Sequence, residues 1–353
     1  FSIGNEFRLE ELKHIGRQAT IVAIFQALSA TIFVDVGLLI LHLFLGDTLP
    51  VYTCIVLGAI ATATAPAATV MVINQYKAKG PLTNILLPIV ALDDAVGLIV
   101  FAVSTGIAKA LISGSINLVS VIVNPLVEIV ASLVLGAALG WVFSIVEKFF
   151  NSRSKRLSLA VAFVFLCTAF SKIELTFGNG VEIGFSSLLV CMMCGTIFCN
   201  LCDFSDEIMY RTDRWTAPIY VLFFVLSGAE LDLRVFGSAA VVGIGLVYIL
   251  MRSAGKIVGA SVSSRMVGCP KTVCKYLGIT LLPQAGVALG MSATVAADFG
   301  AEGAIMRSIV LFSVIYELVG PILTKVALTA SGEITPKTIS NRGVLPEEIH
   351  KNG

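Results

Sequence analysis

Long apolar runs alternate with short polar connections along almost the whole chain. The runs fall at 18–45, 50–73, 84–112, 118–146, 157–175, 185–202, 215–230, 239–263, 276–297 and 303–328. Nearly all are long enough to predict a membrane-crossing helix, which needs about 20 predominantly apolar residues, and the shortest, 215–230, is expected to be completed by its flanking residues. The connections support that count. Eighteen of the 24 Lys and Arg residues lie in alternate polar segments, and the intervening ones hold only Lys172 and Arg234. Basic residues concentrate in cytoplasmic loops, so the alternation predicts ten spans with both visible ends in the cytoplasm. The start, "FSIGNEF", reads as the end of an apolar segment already under way, so at least one further span is expected upstream.

Composition agrees with the pattern. Of 353 residues, 57% are hydrophobic and 13% charged, against about 25% charged in soluble domains. The chain is expected to be an all-α polytopic protein whose first partner is the lipid bilayer. The net charge of +1 gives no global field for nucleic acid. His14 and His350 lie in polar segments and His42 near a span end, which argues against a histidine-based catalytic centre and against an enzyme. The polar segment 331–353 is too short for a nucleotide-binding domain. No cofactor is expected.

The remaining four basic residues, Lys109, Arg252, Lys256 and Arg307, lie inside apolar runs. So do two adjacent acids, Asp93 and Asp94, in "ALDDAVGL". Asp94 is ten residues into the 84–112 run, roughly 15 Å along a helix and near the midplane of a ~30 Å hydrocarbon core. An ionisable side chain at that depth marks a functional site by default. Neighbouring residues on a helix point about 100° apart, so a single contact does not satisfy both acids. Lys256, in "MRSAGKIVGAS", is expected at nearly the depth of Asp93 and is the candidate counter-charge. Arg252, one turn away, is expected to be a structural partner for Glu317 or Glu128, the other acids within the spans.

Two runs carry helix breakers at matching places. "TATAPAAT" contains Pro66, and "LLPQAGVALG" contains Pro283 and Gly286. Proline removes a backbone donor and clashes with the preceding turn, so both helices are expected to be interrupted. Thr62, Thr64 and the freed carbonyls are candidate cation ligands. Runs 18–45, 50–73 and 84–112 form one triplet, and 239–263, 276–297 and 303–328 another, each broken in its middle member and oppositely oriented. Interrupted helices at corresponding positions of inverted repeats point to a transporter site.

Three rival readings are weaker. Cys191, Cys194, Cys199 and Cys202 form a C-x2-C-x4-C-x2-C series, a spacing that suggests zinc in soluble proteins. Here the series continues an apolar span, so packing and no zinc are expected. An intramembrane aspartyl protease needs two acids facing one water, which adjacent residues on one helix do not provide. A passive channel is disfavoured by a lysine facing the acids.

These residues resemble the monovalent cation:proton antiporter superfamily, in its bacterial Na+/H+ exchanger-type branch. The resemblance rests on "FSIGNEFRLEELKHIGRQA", "TATAPAAT", "LDDAVGL", "FFVLSGAELDL" and "GKIVGAS". It implies an inverted-repeat fold with two crossed discontinuous helices and an elevator-like motion of a core against a dimerisation domain. It also implies a homodimer, and a division into 1–112 (first part of the core), 113–235 (scaffold and linker), 236–330 (second part of the core) and 331–353 (tail). By resemblance Asp94 binds Na+ or a proton, Asp93 pairs with Lys256, and an Asp-Asp member is electrogenic. The expected location is the bacterial plasma membrane. A K+/H+ exchanger and an ion-linked sensor of germination type are the alternative readings.

Overall fold

Proline sets several of the helix starts. The computed structural model describes residues 1, 4, 16–112, 123–150, 152–173, 175–177, 181–229, 238–284 and 286–334. Helix α1 spans Arg17–Leu45 and ends in a 3-10 turn, Gly46–Thr48. Helix α2, Val51–Ile60, follows Pro50, and α3, Pro66–Tyr76, has Pro66 in its first turn. Helix α4 runs Pro81–Ile112 and α5 runs Asn124–Glu147 with Pro125 at its start. A first-turn N–H has no intrahelical partner, so proline costs nothing there. Helices α6 (Arg153–Phe170), α7 (Ser187–Leu201) and α8 (Ser205–Ala229) follow, then α9 (Ala239–Met266), α10 (Lys271–Thr280), α11 (Gly286–Leu311) and α12 (Val314–Ala330). Helix α11 turns sharply at Gly300, which lies between two of the expected spans.

Three features differ from the sequence expectation. First, a short hairpin accompanies the helices of the all-α fold: Leu175–Phe177 (β1) and Val181–Ile183 (β2) pair antiparallel, with Thr176 opposite Glu182. The apolar character of 157–175 ends there in a hairpin outside the helix. Second, among the described residues four helical segments are long and apolar enough to cross a membrane alone: Arg17–Thr48, Pro81–Ile112, Leu126–Glu147 and Ala239–Met266. The others fall short of that length or hydropathy because two expected spans are pairs of half-helices and α6 and α8 open on polar turns, "RSKRLS" and "SDEIMYRTDR". Third, the last expected span is interrupted at Phe312–Ser313, between α11 and α12.

The helices pack as two bodies. Helices α1–α4 and α9–α12 share one set of contacts, the most extensive between α1 and α9, and α5–α8 share another. Contact between the bodies runs mainly through α4 and α5. The α5–α8 body is held by stacked aromatics: Phe143 lies 4.0 Å from Phe198 and 4.6 Å from Phe163, centroid to centroid. On the outside of α1, Ile24, Leu28, Ile32, Val36, Ile40 and Leu43 are all more than 40% exposed at one-turn intervals, as expected of a face against hydrocarbon.

Candidate functional site

The two interrupted helices cross. Between α2 and α3 the chain is non-helical from Ala61 to Ala65, and between α10 and α11 it is non-helical through Leu282–Gln284. The breaks join through the main chain, where Ala65 N–H donates to Pro283 O at 2.8 Å. Thr69 Oγ1 donates to Thr280 O at 3.2 Å nearby. The crossing therefore gathers the carbonyl ends of α2 and α10, each the negative pole of a helix.

Arg252 satisfies those ends. Its Nε donates to Ala61 O at 3.0 Å, Nη2 to Ala63 O at 2.7 Å and Nη1 to Leu282 O at 2.7 Å. The guanidinium is fully buried and stacks 4.8 Å from the Tyr316 ring centroid. The sequence suggested an acid as partner; the hydrogen bonds described for Arg252 go to backbone carbonyls. Glu128, on α5, lies within electrostatic reach of Lys109 and Asp298 instead, and the latter two pair at 3.1 Å. The side chain of Glu317 lies outside the described residues. A planar fork of five donors suits several carbonyls at once, which a lysine does not match.

One turn along α9, Lys256 faces the acids. Its Nζ lies 2.9 Å from Asp93 Oδ2, 2.9 Å from Thr64 Oγ1 and 2.5 Å from Thr62 O. Those three acceptors match the three protons of an ammonium. Asp93 also accepts from the Thr64 hydroxyl at Oδ2 and from the Gln26 amide at Oδ1. Asp94 is the next residue on α4. Asp93, Lys256, Gln26 and Thr62 are 0% exposed, and Asp94 and Thr64 are 1% exposed, so the cluster is fully buried within the fold. Thr64 contributes its hydroxyl, whereas Thr62 donates its own hydroxyl to Ala59 O at 2.7 Å and offers Lys256 its carbonyl. Pro66, Pro283 and Gly286 lie at the breaks: Pro66 and Gly286 open α3 and α11, and Pro283 lies within the second extended segment.

Two features of the site escaped the sequence reading. Gln26 reaches Asp93 because α1 lies unusually close to α9. A Cβ at Gly255 would sit 2.7 Å from Ala30 Cα, and one at Gly259 would sit 2.9 Å from Gln26 Cα, so only glycine fits. The signal was present as Gly255-x-x-x-Gly259, the small-residue spacing that lets membrane helices approach closely. Gln284 is the second. It donates to Ile60 O at 2.9 Å and shares a hydrogen bond with Tyr248, closing the far side of the crossing.

The four clustered cysteines sit apart from this site. Cys194, Cys199 and Cys202 are buried where α7 packs on its neighbours, and Cys191 is half-buried. Among the described residues no three His, Cys, Asp or Glu side chains are arranged to hold a metal ion.

Comparison with known proteins places this geometry. Residues 1–330 match the family described as sodium/hydrogen exchanger, transmembrane. The chain is 24% identical over 333 residues to the high-affinity Na+/H+ antiporter NhaS3 of Synechocystis sp., covering 91% of this chain and 67% of that protein. It is similar in structure to the sodium proton antiporter MjNhaP1 from Methanocaldococcus jannaschii at pH 8, with a TM-score of 0.70 and 18% identity, over 94% of this chain and 83% of that one. An electron-microscopy structure of the same antiporter gives a TM-score of 0.67 at 16% identity, over 95% and 83% of the two chains. The crossed breaks and the buried acid pair thus belong to an integral membrane protein of known architecture, and the chain is a member of the transmembrane sodium/hydrogen exchanger family.

Proposed function

We propose that this chain is a secondary transporter that exchanges Na+ for protons by alternating access. The observation that carries this reading is the pair Asp93–Asp94, buried at the crossing of two interrupted helices with Lys256 bonded to one of the two acids. NhaS3 and MjNhaP1 are both described as sodium/proton antiporters, which favours sodium over the K+ and sensor readings.

In this proposal Asp94 holds either a proton or a cation. Burial makes its bare anion costly, so the site crosses the barrier filled by one ion or the other, and the competition is the exchange. Lys256 and Asp93 form the coupled pair. Sodium arriving at Asp94 loosens that pair, and proton uptake restores it; the proton belongs to the pair as a whole, because coupled groups titrate together. Thr64, between Lys256 and Asp93, relays the rearrangement. The α1–α4 and α9–α12 body moves in an elevator-like manner against α5–α8, which supplies the homodimer contact. Both visible ends face the cytoplasm of a bacterial plasma membrane, and the cycle is electrogenic.

The test is cation-driven proton movement in everted vesicles, read with a ΔpH-sensitive dye on adding Na+, Li+ and K+ in turn. Dequenching with Na+ is expected in the wild type and none above empty vesicles in Asp94→Asn. Wild-type protein present in the membrane but silent to all three ions would reject the exchange reading.

A further inference from the structure

Away from the crossing, the end of α9 gathers positive charge. Helix α9 stops at Met266, the chain turns through Gly268, and α10 starts at Lys271 after Pro270. The turn borders a cavity of about 610 Å3 lined by Ser261, Arg265, Cys269, Lys271, Cys274 and Lys275. Among the described residues, three cations and no acid line it. Among the described residues none of the three has an ion-pair partner, whereas Lys109, Arg156, Arg211 and Lys256 pair with Asp298, Glu147, Glu207 and Asp93. Lys275 lies 5.1 Å from the Tyr276 ring, a contact that leaves its charge uncompensated.

Two further features point to an anion that is part of the bilayer. The first turn of the ten-residue α10 has no side-chain cap, so its free N–H groups open beside Lys271 and favour a phosphate-like group. On α9, Val258, Val262 and Met266 are 42%, 44% and 65% exposed. They are one turn apart, and Ser261 and Arg265 directly precede the last two. An apolar row of that kind leading into a cationic cup fits an acyl chain joined to an anionic headgroup. A soluble anion needs only the cup.

We propose that this cup binds the phosphate-bearing headgroup of an anionic phospholipid whose acyl chain lies along Val258, Val262 and Met266. The inference rests on the chain being embedded in a bilayer and not on which ions it exchanges.

The test is thermal unfolding of the purified chain in detergent with phosphatidylglycerol, phosphatidylcholine or inorganic phosphate added. Near-saturating phosphatidylglycerol is expected to raise Tm by about 3–5 °C, and the other two are expected to leave it unchanged. The variant R265Q/K271Q/K275Q should lose at least half of the shift, while K148Q/K155Q, with two basic residues removed elsewhere, should keep it. Should the triple variant not fold, K271Q and K275Q singly are each expected to weaken apparent phosphatidylglycerol affinity roughly threefold. Unchanged behaviour in the triple variant, or in both singles, overturns the site. An equal shift with phosphatidylcholine removes the headgroup recognition, and an equal shift with phosphate turns the cup into a small-anion site.

Discussion

The two breaks share a geometry and differ in their chemistry. Both end a ten-residue half-helix on free carbonyls, both precede a second half-helix, and both give carbonyls to Arg252. The first, Ala61–Ala65, also carries Thr62 and Thr64 and faces Lys256 and Asp93. The second offers one polar side chain in its described part, Gln284, and that amide is held by Ile60 O and Tyr248. The inverted repeat thus forms the interrupted helix twice, and the ionisable pair sits against one copy. The acids come from α4 of the first triplet and the bases from α9 of the second, so neither repeat holds the pair alone.

Three substitutions test that contrast. Arg252→Gln strikes the part both breaks share. It leaves three buried carbonyls without their charged donor, and the expected cost is roughly 3–5 kcal/mol, as for breaking a buried charge pair. Thermal unfolding in detergent measures it, and Arg252→Lys should recover only part because an ammonium does not fork across three carbonyls. A glutamine variant with wild-type Tm would remove Arg252 from this role. Thr64→Val changes a side chain carried by the first break. It takes away the hydroxyl between Lys256 and Asp93, and exchange is expected to fall about tenfold, equivalent to one charged hydrogen bond, with the protein still folded. Wild-type exchange in that variant would take Thr64 out of the coupling. Gln284→Leu removes the polar side chain of the second break, which also ties it to Ile60 O at the end of α2, and should be mildest. The expected loss is about 1 kcal/mol of stability, with exchange per folded molecule within a factor of about two of the wild type. A folded Gln284→Leu protein that no longer exchanges would show that the contrast between the breaks is wrong.

Much of this arrangement was readable from residue types. Apolar runs located the helices, because bilayer thickness fixes their length. Pro66 and Pro283 marked the breaks, although the first lies before Pro66 and not at it, since proline opens the following half-helix. Asp93, Asp94 and Lys256 stood out because charge is rare at that depth. The partner of Arg252 was not readable. Its acceptors are main-chain carbonyls of residues 30 and about 190 positions away, and backbone groups leave no residue-type signature. The hairpin at Leu175–Ile183 was hidden for another reason: a three-residue strand is too short for its alternation to register. Gln26 was overlooked because an amide in an apolar run carries no charge to flag it, and its reach depends on the close approach at Gly255 and Gly259.

The hydrogen bond from Ala65 N–H to Pro283 O has a consequence for how such a chain can change over time. It uses main-chain atoms on both sides, so of all single replacements at these two positions only proline at 65 deletes it outright. Side chains around the crossing can drift while the seam between the halves persists. Selection on ion choice and selection on architecture therefore act on separate atoms in the same few residues, and the chemistry at the crossing is free to diversify without the fold being renegotiated.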